Sequence, residues 1–143
     1  MRTYDLTRFH TAQEHSYMQA LTEIRAGRKT SHWMWYIFPQ LRGLGSSEFS
    51  YYYGIENLEE AQQFLNDPVL GQRLYEITNA LLTLVTNDPH QVMGFPDDRK
   101  LCSCMTLFSQ ITEKGSVFDQ VIEKYYHGKY DKKTLNLLEG QRI

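Results

Sequence analysis

Apolar positions recur along this chain at three- and four-residue spacings, interrupted by residues that cap and stop helices. From 6 to 26 the residues Leu6, Phe9, Gln13, Tyr17, Ala20, Leu21 and Ile24 fall on one stripe, with Asp5 placed to cap it and Gly27 to end it. Asn57 followed by Glu60 has the form of a capping box, opening a helix to about Asn66. Asp67-Pro68 then offers a cap and a first-turn proline. The segment behind it carries Leu70, Leu74, Ile77, Leu81, Leu84 and Val85 on one face, the clearest amphipathic pattern in the chain.

The same grammar repeats towards the C-terminus. Asp88-Pro89 precedes a short turn ending at Gly94, and Pro96-Asp97-Asp98 opens a helix aligned by Leu101, Met105, Phe108 and Ile111. Ser116 and Asp119 begin another, running through Val117, Phe118, Val121, Ile122 and Tyr125 and closed by Gly128. Asp131 caps the last, with Leu135 and Leu138 apolar and Gly140 beyond it. No convincing run alternates apolar and polar residues, and no Asn-Gly or Asp-Gly hairpin turn occurs. The pattern predicts an all-α fold: a compact bundle of about six to eight helices, several of them short, forming one domain over 1–143.

One segment resists this reading. Trp33-Met34-Trp35-Tyr36-Ile37-Phe38 is apolar on every side, so periodicity cannot separate a helix from a buried strand. Ser31 can cap and Pro39 can stop, since the residue before a proline is pushed out of helical geometry. A short, fully buried helix is expected.

Composition narrows the class. A chain of 143 residues with 13% aromatics and a net charge of −2 has the means to build a core, and disorder is excluded. Cys102 and Cys104 are too close to staple a fold and too few for a zinc site. Small apolar residues on a helix are expected there, in a reducing compartment. With no signal-peptide core and no membrane-length apolar run, the sequence predicts a soluble, cytoplasmic protein with no membrane partner. His10, His15, His90 and His127 have no metal-ligand spacing, and no cofactor motif is visible, so neither a metal nor a cofactor is expected.

Chemistry concentrates between residues 25 and 45. No acidic residue lies between Glu23 and Glu48, whereas Arg25, Arg28, Lys29, His32 and Arg42 lie there beside both tryptophans. From Gly43 to Gln72 the pattern inverts, with five acidic residues and no Lys or Arg. A positive field against aromatic walls suits an anionic, ring-bearing ligand, because Arg and Lys bind phosphate oxygens and aromatic faces stack on bases. Arg28, Lys29 and Arg42 are the candidate charges, and Trp33, Trp35 and Phe38 the candidate walls. His32 is a candidate general acid or base. Its partner carboxylate would be Asp98 or its neighbour Asp97, provided that the Asp97-Asp98 helix start faces the basic stretch. Structural roles compete at every position: core packing for the aromatics, C-capping for Arg25, Arg28 and Lys29, and an interhelical turn for Gly43-Leu44-Gly45.

Several strings resemble the domain-of-unknown-function family numbered 1810. They include Asp5-Leu6-x-Arg8-Phe9-x-x-Ala12-Gln13, Gly27-Arg28-Lys29-x-Ser31-His32-Trp33-Met34-Trp35-Tyr36-Ile37-Phe38-Pro39-Gln40-Leu41 and Pro96-Asp97-Asp98-x-Lys100-Leu101-x-Ser103-x-Met105-Thr106-Leu107-Phe108. The resemblance spans nearly the whole chain, to a bacterial-type family, and implies an all-α fold and no particular activity. A calpastatin-like label attached to some members finds no support here, since that inhibitor is disordered and repetitive.

Two functions follow as expectations. The first is a site for an anionic, nucleotide-like small molecule, with hydrolysis as its enzymatic form; the residues leave open whether a reaction is catalysed. The second is a non-enzymatic protein-interaction module organised by the charge segregation. Nucleic-acid binding ranks last, because a pI of about 6.2 leaves too small a basic footprint. The oligomeric state is not encoded in any of these patterns.

Overall fold

The computed structural model describes residues 2–141. Among these residues the chain forms ten helices and no strand. They are α1 (Thr7–Glu14), α2 (Tyr17–Arg25), α3 (Met34–Ile37), α4 (Glu48–Tyr52), α5 (Leu58–Asn66), α6 (Leu70–Thr83), α7 (Pro89–Met93), α8 (Asp97–Ser109), α9 (Val117–Tyr126) and α10 (Lys132–Gln141). The all-α expectation holds, while the count exceeds the expected six to eight for two physical reasons.

The stripe over 6–26 is two helices. The chain turns at His15-Ser16, where the Ser16 amide donates to Gln13 at 3.1 Å. The break lets both flanking side chains reach α3. Gln13 is buried and donates to the Tyr36 carbonyl at 2.8 Å, and Ser16 accepts from the Tyr36 hydroxyl at 3.0 Å. The other addition is α4, which buries none of its residues and so has no apolar stripe to announce it.

The capping residues behave largely as the sequence suggests. Asp5 accepts from the Thr7 amide at 2.9 Å, Asn57 from Glu60 at 2.9 Å, and Asp67 from Val69 and Leu70 at 2.9 and 3.0 Å. Asp88 and Asp131 cap α7 and α10 in the same way. Two details differ: the Asp119 carboxylate, rather than Ser116, takes the free Gly115 amide at 2.8 Å, and α10 continues through Gly140.

Helices α6 and α8 occupy the middle. α6 packs on α2, α5 and α9, and α8 on α5, α7, α9 and α10. Every residue of α8 from Ser103 to Phe108 is buried, as a helix enclosed on most sides requires. Phe9, Phe64, Phe108 and Phe118 form a chain of rings through the core, with successive centroids 5.0, 5.6 and 5.7 Å apart. Among the described residues no helix is long and apolar enough to cross a membrane.

A backbone clasp closes the segment that carries α4. The Arg42 amide donates to Ile55 at 2.7 Å, and the Ile55 amide to Gln40 at 2.8 Å. Gly54 sits in the closure, where a Cβ would lie 2.7 Å from the Ser50 carbonyl oxygen and 2.8 Å from the Arg42 Cα.

Phe108 lies between Phe64 and Phe118 with no exposed surface. Phe108→Ala is expected to lower unfolding free energy by about 3–5 kcal/mol in urea denaturation. A loss below about 1 kcal/mol would mean that the ring chain is not the packing centre.

Candidate functional site

The loop after α2 is built around one carboxylate. Gly27, at φ +83°, ends the helix, and the chain then wraps back over Glu23. Glu23 Oε1 accepts from the amides of Thr30 and Ser31 at 2.7 and 3.0 Å and from the Trp33 indole at 3.0 Å. Its Oε2 accepts from the Ser31 hydroxyl at 2.7 Å. Burial alone would raise the Glu23 pKa. The bonds from Ser31, Thr30 and Trp33 outweigh burial and hold it at about 2, against 4.5 for an ordinary glutamate.

Lys29 fixes the other side of the loop. Its amide donates to the Val92 carbonyl at the end of α7, at 2.7 Å. Its side chain is 7% exposed, and its ammonium lies 2.8 Å from Asp97 Oδ2, donates to the Ser31 carbonyl and sits 4.9 Å over the Trp33 ring. The start of α8 is thereby drawn against residues 29–35.

A cavity of about 320 Å³ opens along this seam, lined by Lys29, Ser31, His32, Trp35, Phe95, Asp97 and Lys100. Pro96 and Lys100 also border a second cavity, of about 500 Å³, lined by Gly45, Ser46, Ser47, Arg99, Ser103, Asp131, Lys132 and Lys133. The two form lobes of one groove that crosses Lys100. The Lys100 ammonium lies 5.1 Å from the Trp35 ring centre and 3.7 Å from Asp97 Oδ1. The first lobe has aromatic walls. The second brings Arg99, Lys132 and Lys133 together with serine hydroxyls. Its one carboxylate, Asp131, is engaged by Ser103 at 3.1 Å and by Thr134.

The family model described as "Protein of unknown function (DUF1810)" matches residues 3–138. The chain belongs to the DUF1810 family. The crystal structure of the conserved hypothetical protein Rv1873 from Mycobacterium tuberculosis is similar to this DUF1810 chain, with 47% identity and a TM-score of 0.92. The match covers 95% of this chain and 97% of that one. A search among curated proteins finds no match.

The structure divides the residues singled out in this DUF1810 sequence. Lys29, His32 and Trp35 line the first lobe together. Trp33 and Phe38 are 1% and 0% exposed and belong to the core, so the aromatic string is part wall and part core. The expected N-cap at Ser31 is instead a ligand of Glu23, and α3 begins at Met34. Arg28 is exposed and lines neither lobe. Arg42 lies in a separate cavity with Tyr51, Tyr52 and Tyr53. Asp97 faces the groove, whereas the Asp98 carboxylate is 3.6 Å from His90 and lines neither lobe.

Lys132 and Lys133 are not marked by sequence spacing, because α10 and α8 meet only in the fold; Arg99 and Lys100 belong to the candidate helix start that follows Asp97-Asp98 in the sequence. The Arg99-Lys100 and Lys132-Lys133 doublets were the available signal. Among the described residues no three His, Cys, Asp or Glu side chains gather as a metal site requires.

The Glu23 cradle makes a pH prediction. Its folded pKa lies below its unfolded one, so its contribution is complete above about pH 4.5 and is lost as pH falls towards 2. Between pH 6 and 2.5, Glu23→Gln is expected to lose less stability than wild type, by on the order of 1–2 kcal/mol after solvent screening. Parallel acid-limb denaturation curves for the two proteins would show that the fold does not favour the ionised carboxylate.

Proposed function

We propose that this DUF1810 protein binds a small anionic, nucleotide-like molecule in the groove that crosses Lys100. The observation that carries the reading is the shared position of Lys100, which lines an aromatic lobe and a cationic, hydroxyl-rich lobe at once. A planar ring stacks on Trp35 in the first lobe. Phosphate oxygens accept from Lys100, Arg99, Lys132 and Lys133 in the second, where serine hydroxyls add further donors. The aromatic wall is steady, because Trp35 also packs on Phe49 at 5.2 Å and follows a loop tied to Glu23.

Hydrolysis is the enzymatic form of this proposal. Within the Trp35 lobe the carboxylate available as general base is Asp97, not Asp98, and the exposed imidazole of His32 stands on the rim. Asp97 is held by Lys29 and Lys100, an arrangement that favours positioning over proton transfer. Binding is therefore the primary reading and catalysis the secondary one.

A thermal-shift panel of nucleotides, NAD, ADP-ribose and sugar phosphates tests it. A ligand at a hundred times its Kd adds about 2.7 kcal/mol and raises the midpoint by several degrees. The shift is expected to vanish in Lys100→Ala and Trp35→Leu and to persist in Arg28→Ala, whose side chain lies outside the groove. No shift across the panel would favour the protein-interaction module instead.

A further inference from the structure

We infer that the cavity beside Arg42 is a second binding site, for a small aromatic molecule bearing one oxyanion, a phosphate or a carboxylate. It has a volume of about 490 Å³ and itself shares no lining residue with the Lys100 groove, while the aromatic shelf that adjoins it borders that groove at Ser46 and Ser47.

The positive charge available there belongs to Arg42; one carboxylate, Asp5, also lines the cavity and accepts from the Thr7 amide at 2.9 Å. Arg8 also lines the cavity, but its guanidinium is committed to Glu60 at 2.9 Å and to the carbonyls of Asp5 and Gly54. Arg42 is held differently. Its Nε donates to the Tyr51 carbonyl at 2.9 Å, and its guanidinium carbon lies 4.4 Å over the Tyr51 ring. Both contacts fix the plane of the group while its two Nη nitrogens bond to nothing among the described residues. A guanidinium oriented in advance, with its paired donors free, is suited to bidentate capture of an oxyanion. The hydroxyls of Tyr51, Tyr52 and Tyr53 likewise have no partner among the described residues, and add donors around the same space.

The body of the ligand is set by what adjoins. Tyr51, Tyr52 and Tyr53 also border a shelf that includes Phe49. Phe49, Tyr51 and Tyr52 are 58, 66 and 55% exposed on α4, a cluster of large rings each more than half open to water. A helix that buries none of its residues yet carries three aromatics offers stacking area with a cationic fork beside it. An aromatic ring on the shelf with its anion at Arg42 satisfies both.

Titration of the whole protein with phenyl phosphate, benzoate and phenol, followed by NMR at the Arg42 Nε–H and the amides of residues 49–53, tests the assignment. At least one of the two anions is expected to shift these signals with at least tenfold tighter binding than phenol, and the better one identifies the head group. Arg42→Gln is expected to weaken the anion at least tenfold, and Tyr52→Leu at least threefold with Arg42 intact. If Arg42→Gln fails to fold, Tyr52→Leu decides. Lys100→Ala is expected to leave these affinities unchanged even if it abolishes nucleotide shifts, so this site and the Lys100 groove stand or fall separately. Phenol binding as tightly as both anions, no binding at all, or loss of the signal in Lys100→Ala would each overturn the proposal.

Discussion

Four donors converge on the Glu23 carboxylate, and the shape of the candidate groove depends on their doing so. Two are backbone amides of the loop, one is the Ser31 hydroxyl and one is the indole of Trp33. A buried carboxylate without partners is costly, so the loop cannot leave Glu23 without stranding it. Trp33 is consequently anchored in the core, and the next odd position, Trp35, projects to the seam where α8 begins. Lys29 completes the arrangement by binding α7 through its amide and α8 through its ammonium. The loop after α2 and the consecutive helices α7 and α8, about sixty residues further along the chain, are thus brought together, with Glu23 shaping the loop and Lys29 reaching both helices.

Much of the helical framework was legible because it rests on local rules. Asn57, Asp67, Asp88 and Asp131 cap where their positions before apolar stripes say they should. Helix α4 escaped because the rule that finds helices looks for a buried face, and its rings face water. The 6–26 break escaped because the stripe continues across it: Gln13 and Tyr17 are both buried, and only the tertiary bonds to Tyr36 reveal why the chain turns between them.

Where the structure places the candidate residues was legible in part. The acid-free stretch around Lys29, His32 and Trp35 does form one lobe. What the sequence could not show was the direction of each aromatic ring in a segment apolar on all sides, or that Asp97 rather than its neighbour turns inward. Glu23 itself marked only the edge of the acid-free stretch, yet it is the residue that organises it. The cationic lobe comes from pairing the first turns of α8 and α10, a contact with no local signature.

The clasp between Leu41 and Ile55 has a consequence for how this fold can vary. With its ends joined by two backbone bonds and Gly54 in the closure, the excursion from Arg42 to Gly54 behaves as an Ω-type loop set on a finished core. The entropy of closing such a loop grows only with the logarithm of its length, so doubling it costs roughly 0.6 kcal/mol. Insertions, deletions or exchanged rings between the clasp points can therefore remodel the surface on both sides of α4 while the aromatic core beneath keeps its packing. The molecule carries a surface that can change and a core that cannot, joined at a single pair of backbone hydrogen bonds.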